Sequence, residues 1–146
     1  MASEKRSYAS CRVGHLLVGV AVDAVQEVTA DAELTPVPLA PPVVSGLLNL
    51  RGRIVTAIDL RRSLQLPDRP ADQPPINLIL RADGGSIGLL VDAVGDVLDV
   101  DEDDFEPPPG TLRGQLRELI TGAYKLDRGL LLVLNTERVV QESNAE

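Results

Sequence analysis

The chain repeats itself. Residues 22–28 read VDAVQEV and residues 91–97 read VDAVGDV, identical at five positions, with Glu27 matched to Asp96. Gly19 and Gly88 stand at the same distance upstream of these blocks. A second pair follows in the same order. GLLNLRGRIVTAIDL (46–60) resembles GAYKLDRGLLLVLNT (122–136): Gly46, Leu50 and Asp59 match Gly122, Leu126 and Asn135 directly, and one inserted residue brings Gly52 to Gly129. Two matched blocks in register describe two similar halves. The halves span about 13–66 and 76–140, with room to exchange terminal elements, and PDRPADQPP (67–75) between them reads as a linker.

The recurring unit is made of short strands. Val and Ile are frequent, and Gly and Pro punctuate the sequence at short spacing. HLLVGVAV (15–22), INLILRA (76–82) and SIGLLVDAV (86–94) are expected strands. ADGGS between the last two reads as a hairpin turn, because Gly84 and Gly85 can take positive φ. LITGAYKL and GLLLVL form another hairpin around DRG. Few of these runs alternate cleanly, so many strands bury parts of both faces, as in small closed barrels. Helix is scarce. Asp59 caps a short helix carrying Leu60 and Leu64 on one face and ended by Pro67, and Asn135 caps TERVVQES. The Pro-rich TPVPLAPPVVSG (35–46) reads as a rigid connection between strands. The expectation is an all-β fold with minor helix: two similar small β-barrels packed side by side within one domain over residues 1–146.

Composition closes several functional routes. A net charge of −8 opposes the positive field that nucleic-acid binding needs. The aromatics are only Tyr8, Tyr124 and Phe105, too few for base-stacking platforms. MASEKRSYAS at the start is polar and lacks the apolar segment of a signal peptide. The apolar stretches, such as LLVGVAV, are far shorter than a membrane span. A cytoplasmic protein without direct membrane insertion is therefore expected. Catalytic equipment is equally thin. Cys11 and His15 are the single cysteine and histidine, and four residues along a strand hold them beyond hydrogen-bond reach. No metal set, cofactor loop or nucleophile motif is present. In DVDEDDFE (99–106), Asp99, Asp101 and Asp103 match the first ligand spacings of a calcium loop, but Asp104 occupies the required glycine position and Gly110 that of the final Glu. A solvated acidic loop is the simpler reading. The chain reads as a binding or scaffolding protein, not an enzyme, with no cofactor.

Arg51 and Gly52 interrupt an apolar run. Leu50-Arg51-Gly52-Arg53 reads as a tight turn between strands 46–50 and 53–58, with positive φ supplied by Gly52, and Asp127-Arg128-Gly129 reads as its counterpart. On turn chemistry alone Arg51 is a solvated turn residue.

These residues resemble the CheW family of chemotaxis coupling proteins. The resemblance covers about 15–140 and is carried by VDAVQEV, LTPVPLAPPVVSGLLNLRGRIVTAIDLRRSL, IGLLVDAVGDV and ITGAYKLDRGLLLVLN. It implies two five-stranded SH3-like β-barrels. It also implies a non-enzymatic adaptor that links the cytoplasmic tips of methyl-accepting chemoreceptors to the regulatory domain of a CheA-type histidine kinase, recruited to membrane receptor clusters. An adaptor for a non-chemotactic array, controlling pilus motility or gene expression, would use the same fold. Thr56 stands where the family usually has proline. The resemblance assigns Arg51 and Glu27 to a receptor-binding surface, together with Asn49 and Gly52 of the turn segment and Val25 and Val28 beside Glu27. On this reading Arg51 and Glu27 form a partly exposed ion pair bordering an apolar groove. Val25 and Val28 serve equally well as core residues, since alternate strand positions face opposite ways.

Overall fold

The computed structural model describes residues 4–30, 32–82 and 85–143. Its strands are β1 (Lys5–Val13), β2 (Leu16–Ala21), β3 (Val25–Thr29), β4 (Glu33–Thr35), β5 (Val44–Leu50), β6 (Arg53–Asp59), β7 (Ile76–Ala82), β8 (Gly85–Val91), β9 (Ala93–Asp101), β10 (Ile120–Leu126) and β11 (Gly129–Leu134). Three short helices accompany them: α1 (Leu60–Ser63), α2 (Gln115–Leu119) and α3 (Thr136–Ser143). The fold is all-β with minor helix.

The strands form two sheets, ordered β10-β11-β2-β1-β9 and β3-β7-β8-β6-β5-β4. The second has six strands because β4 adds an edge to β5. Neither sheet closes by hydrogen bonding among the described residues. Each sheet draws strands from both sides of residues 67–75. The N-terminal hairpin β1–β2 lies with β9, β10 and β11, while β7–β8 lies with β3, β5 and β6.

The duplication shows in the register. Val25 faces Leu80 and Val28 faces Leu78, as Val94 faces Cys11 and Val97 faces Ala9. Ala57 lies parallel to Gly88 as Val133 lies parallel to Gly19. The matched glycines Gly46 and Gly122 both sit at register shifts, opposite Ala57 and Val133. A Cβ on Gly46 would overlap the Thr35 carbonyl, and one on Gly122 would overlap the Phe105 ring and the Glu106 carbonyl. Each bulge thus brings another segment against bare backbone, which only glycine permits.

The non-alternating strands find their reason in three apolar clusters. Leu78, Leu80, Ile87, Leu89 and Val91 join Cys11, Val13, Val18, Val20 and Leu132 between the sheets. Ile79 and Leu90, on the opposite faces of the same strands, pack with Leu48, Leu50, Val55 and Ala57 inside the six-stranded sheet. Tyr8, Val100, Tyr124, Leu131 and Val133 fill the five-stranded one.

Several local expectations change. The strand expected over 86–94 breaks at Asp92, where the chain passes from β8 in one sheet to β9 in the other. The polar N-terminal stretch contributes β1, whose Tyr8, Ala9, Ser10 and Cys11 are buried. The acidic run is not all loop: Asp99 and Asp101 end β9, and Glu102–Asp104 form a 3-10 turn. Asp59 and Asn135 cap their helices as expected, accepting hydrogen bonds from the Arg61 and Arg138 amides. However, α1 ends at Ser63, well before Pro67, because Gln65 adopts a left-handed φ of 60° and the Leu66 amide returns to the Arg61 carbonyl. The 82–85 turn falls on Asp83 and Gly84, which lie outside the described residues; Gly85 opens β8 without a positive φ.

The segment read as a linker is held down. Asp92 accepts from the Gly14 amide (2.7 Å), from Arg61 through Nε and Nη2 (3.0 and 2.6 Å), and from Arg69 Nε (2.9 Å). Arg61 Nη1 also donates to the Pro67 carbonyl at 3.0 Å. Burial pushes the Asp92 carboxyl upward, but the bonds from Arg61, Gly14 and Arg69 outweigh it and hold the pKa at about 2.

Candidate partner-binding surface

The β5–β6 hairpin closes through two residues, since Leu50 pairs with Arg53. A two-residue hairpin loop follows the strand twist best when both central residues have positive φ. Gly52 does so at 89°, and Arg51 does too, at 52°. A non-glycine side chain in this region costs about 1 kcal/mol. Asn49 steadies the turn, its Oδ1 accepting from the Gly52 amide at 3.1 Å.

Arg51 projects from this turn to Glu27 on β3. Its Nη2 donates to Glu27 Oε1 at 2.7 Å, with the Arg51 side chain 76% and the Glu27 side chain 24% exposed. The ion pair expected from the sequence is therefore formed. β3 and β4 are the two edges of the six-stranded sheet, and β5 lies next to β4. The pair thus spans the open seam of a rolled sheet, from one edge strand to the hairpin near the other. At this exposure its direct contribution to stability is about 0–1 kcal/mol.

The six candidate residues do not share one face. A register shift between Val25 and Glu27 puts Val25 and Val28, opposite Leu80 and Leu78, on one face of β3 and Glu27, opposite Ile79, on the other. Gln26 and Val28 are exposed, whereas Val25, Glu27 and Thr29 are half-buried. Val25 packs against the inter-sheet core. Val28 is exposed and so remains a surface candidate. Sequence reasoning missed Ile54, which is 63% exposed. It pairs with Asn49, which in turn pairs with Glu33, so an exposed row crosses three strands beside the turn. Thr56 lies two residues further along β6, half-buried opposite Leu47. Alternation puts Ile54 on the face of Thr56, opposite Val55 and Ala57, and the polar Thr56 marks that face as outward.

The proposed counterpart turn differs. Leu126 pairs with Gly129, so the central residues are Asp127 and Arg128, neither with positive φ, and Gly129 at 126° opens the next strand. The two loops are equally long, so the insertion expected from the sequence is absent: Asp127 stands where Arg51 does and Arg128 where Gly52 does. Arg128 forms no ion pair to Asp96, the match of Glu27. Arg51 is thus not a repeated turn residue. Cys11 and His15 also stay apart in role: Cys11 is buried between the sheets, which pushes its thiol up to about 12, and His15 lies in the exposed β1–β2 turn.

Two interlocked sheets and a strained turn carrying an exposed ion pair make an all-β protein organised around its outer surfaces. A family model described as a CheW-like domain matches residues 7–144, and the chain belongs to that family. It is 29% identical over 143 residues to a probable chemotaxis protein CheW of Rhizobium etli, covering 97% of this chain and 91% of the relative. It is 26% identical over 132 residues to the chemotaxis protein CheW of Treponema pallidum, covering 88% and 78% of the two chains. The crystal structure of the scaffolding protein TtCheW from Thermoanaerobacter tengcongensis superposes with a TM-score of 0.83 at 27% identity, covering 93% of this chain and 92% of the other.

Proposed function

We propose that this protein is a non-enzymatic scaffold of chemotaxis signalling that couples the cytoplasmic tips of chemoreceptors to a CheA-type histidine kinase. The observation that carries the reading is the Arg51–Glu27 pair, held on a strained turn in a chain that belongs to the CheW-like family. Spending backbone energy to hold a solvent-exposed arginine in place fits recognition better than folding. Two relatives are named chemotaxis proteins and one solved relative is titled a scaffolding protein, which supports the coarse role. Arg51, Asn49 and Gly52 present the receptor surface, Glu27 orients Arg51, and Val28 adds apolar contact. Val25 acts from beneath, by fixing β3 on the core. The kinase's regulatory domain packs on a separate aliphatic surface. Such area drives association at roughly 25 cal/mol per Å² before ordering costs.

The test combines the purified protein with a CheA-type kinase and a chemoreceptor tip from its own source, and measures receptor-dependent kinase activity. Arg51→Glu should abolish receptor coupling and leave kinase binding intact. Failure of the unaltered protein to bind either partner would overturn the reading. Binding to a kinase and receptors of a pilus or gene-expression array, without a motility effect, would assign the same scaffold to that array.

A further inference from the structure

The duplication gives most features of one sheet a counterpart on the other, so a feature present once is informative. In the first half the chain leaves α1 at Gln65 and doubles back as a strap. Leu66 packs against the inter-sheet core, its Cδ1 3.1 Å from the place a Cβ would take on Gly14. Arg69 follows three residues later with its side chain 8% exposed and bonded to Asp92. The strap covers the angle between the β1–β2 hairpin end and α1.

Among the described residues, no strap covers the corresponding angle of the second half. The registers that match Gly19 with Gly88 and Ala57 with Val133 put Arg81, Ala82 and Ile87 where Arg12, Val13 and Val18 stand. They put Glu137, Val140 and Gln141 where Arg61, Leu64 and Gln65 stand. Here α3 continues to Ser143 instead of turning back. These residues line an open cleft of about 580 Å³. Ala82, Ile87 and Val140 belong to or pack on the inter-sheet core and form its apolar floor. Arg81 is engaged, its Nη1 donating to the Asp23 carbonyl at 2.6 Å. Glu137 is exposed and forms no ion pair among the described residues.

We propose that this cleft docks an extended peptide segment of a partner protein that carries an apolar residue followed three residues later by an arginine. The spacing is that of the molecule's own strap, Leu66-Pro67-Asp68-Arg69, but the acceptor is not: Asp92 matches Asp23, and Glu137 stands in the place of Arg61, so a carboxylate lines the cleft where the first half has a guanidinium. The apolar residue covers Ile87 and Val140, and the arginine meets the free carboxylate of Glu137. The site lies on β7, β8 and α3, apart from the Arg51 turn, and so adds a contact to the scaffold beyond those of the proposed function.

The probe is a synthetic peptide with the sequence of residues 64–71, LQLPDRPA, titrated into the isotope-labelled full chain and followed by amide chemical shifts. The expected result is saturable shifts at Arg81, Ile87 and Val140. A peptide with alanine in place of its arginine, or Glu137→Gln in the protein, should weaken binding about tenfold, as loss of a charged hydrogen bond does. Glu137 and Gln141 are exposed, so Gln141→Trp, which fills the cleft without touching the core, should block binding in a folded protein. The absence of shifts in the cleft at millimolar peptide would overturn the proposal. So would equal shifts with a scrambled peptide, or unchanged binding in both protein variants.

Discussion

Arg51 combines a backbone cost with an exposed head group, and the two can be separated. In Arg51→Gly the positive φ becomes free and the exposed ion pair is lost. The opposing terms are each about 1 kcal/mol or less, so unfolding free energy should stay within about 0.5 kcal/mol of the parent. Receptor coupling should nevertheless disappear, as in Arg51→Glu. Denaturant unfolding beside a coupling assay separates the roles, and a loss of more than about 2 kcal/mol would return Arg51 to a structural part. Gly46 presents the reverse case. A methyl group there meets the Thr35 carbonyl at a φ of 153°, so Gly46→Ala should cost about 2–4 kcal/mol, whereas Gly110→Ala, with open space around it, should cost little. The ion pair was legible from a family resemblance carried by the residues around Arg51 and Glu27. The left-handed backbone of Arg51 was not, because arginine gives no signal for it. It follows from a loop length of two, set by the pairing of Leu50 with Arg53.

At the scale of elements, strands were legible where aliphatic residues dominate, as in β7, which the sequence bounds correctly at Ile76 and Ala82. β1 escaped notice because its buried positions include Ser10 and Cys11 among polar neighbours. The break at Asp92 was hidden for a different reason. The residue is accommodated by Arg61 and Arg69, which lie 31 and 23 positions away, and no local pattern reports such partners. This network also sets a pH response. The carboxyl titrates at about 2 in the folded chain against 3.8 ordinarily. A depressed acid stabilises the fold fully above its unfolded pKa and loses that contribution as pH falls through the folded one. Asp92 should therefore contribute about 2 kcal/mol at neutral pH, lost between roughly pH 4 and pH 2. Asp92→Asn should flatten that part of a stability–pH curve, lower neutral stability by about 2–4 kcal/mol, and expose the backbone of 67–75 to hydrogen exchange. An unchanged acid limb would remove Asp92 from the account.

On the scale of the whole molecule, neither sheet can form from one half alone. Cleavage within 67–75 should leave two pieces that remain associated, each poorly structured when isolated and recovering the native amide spectrum on mixing. Independent folding of either piece would contradict the interlocked topology. The duplication itself was legible in VDAV and in the two glycine-bearing blocks. The crossing of strands between halves was not, since a repeat in sequence records which elements recur and not which copies pair.

The exchange of hairpins has a further consequence. Because β1–β2 stands to β11 as β7–β8 stands to β6, a single half, translated on its own, has everything the fold needs once two copies meet. Its ancestral form would be a strand-swapped homodimer with a true twofold axis, and gene fusion through nine residues would have turned it into one chain. Fusion frees the two formerly identical surfaces to diverge. An arginine held at one hairpin tip and displaced at the other is the kind of asymmetry that such a history allows.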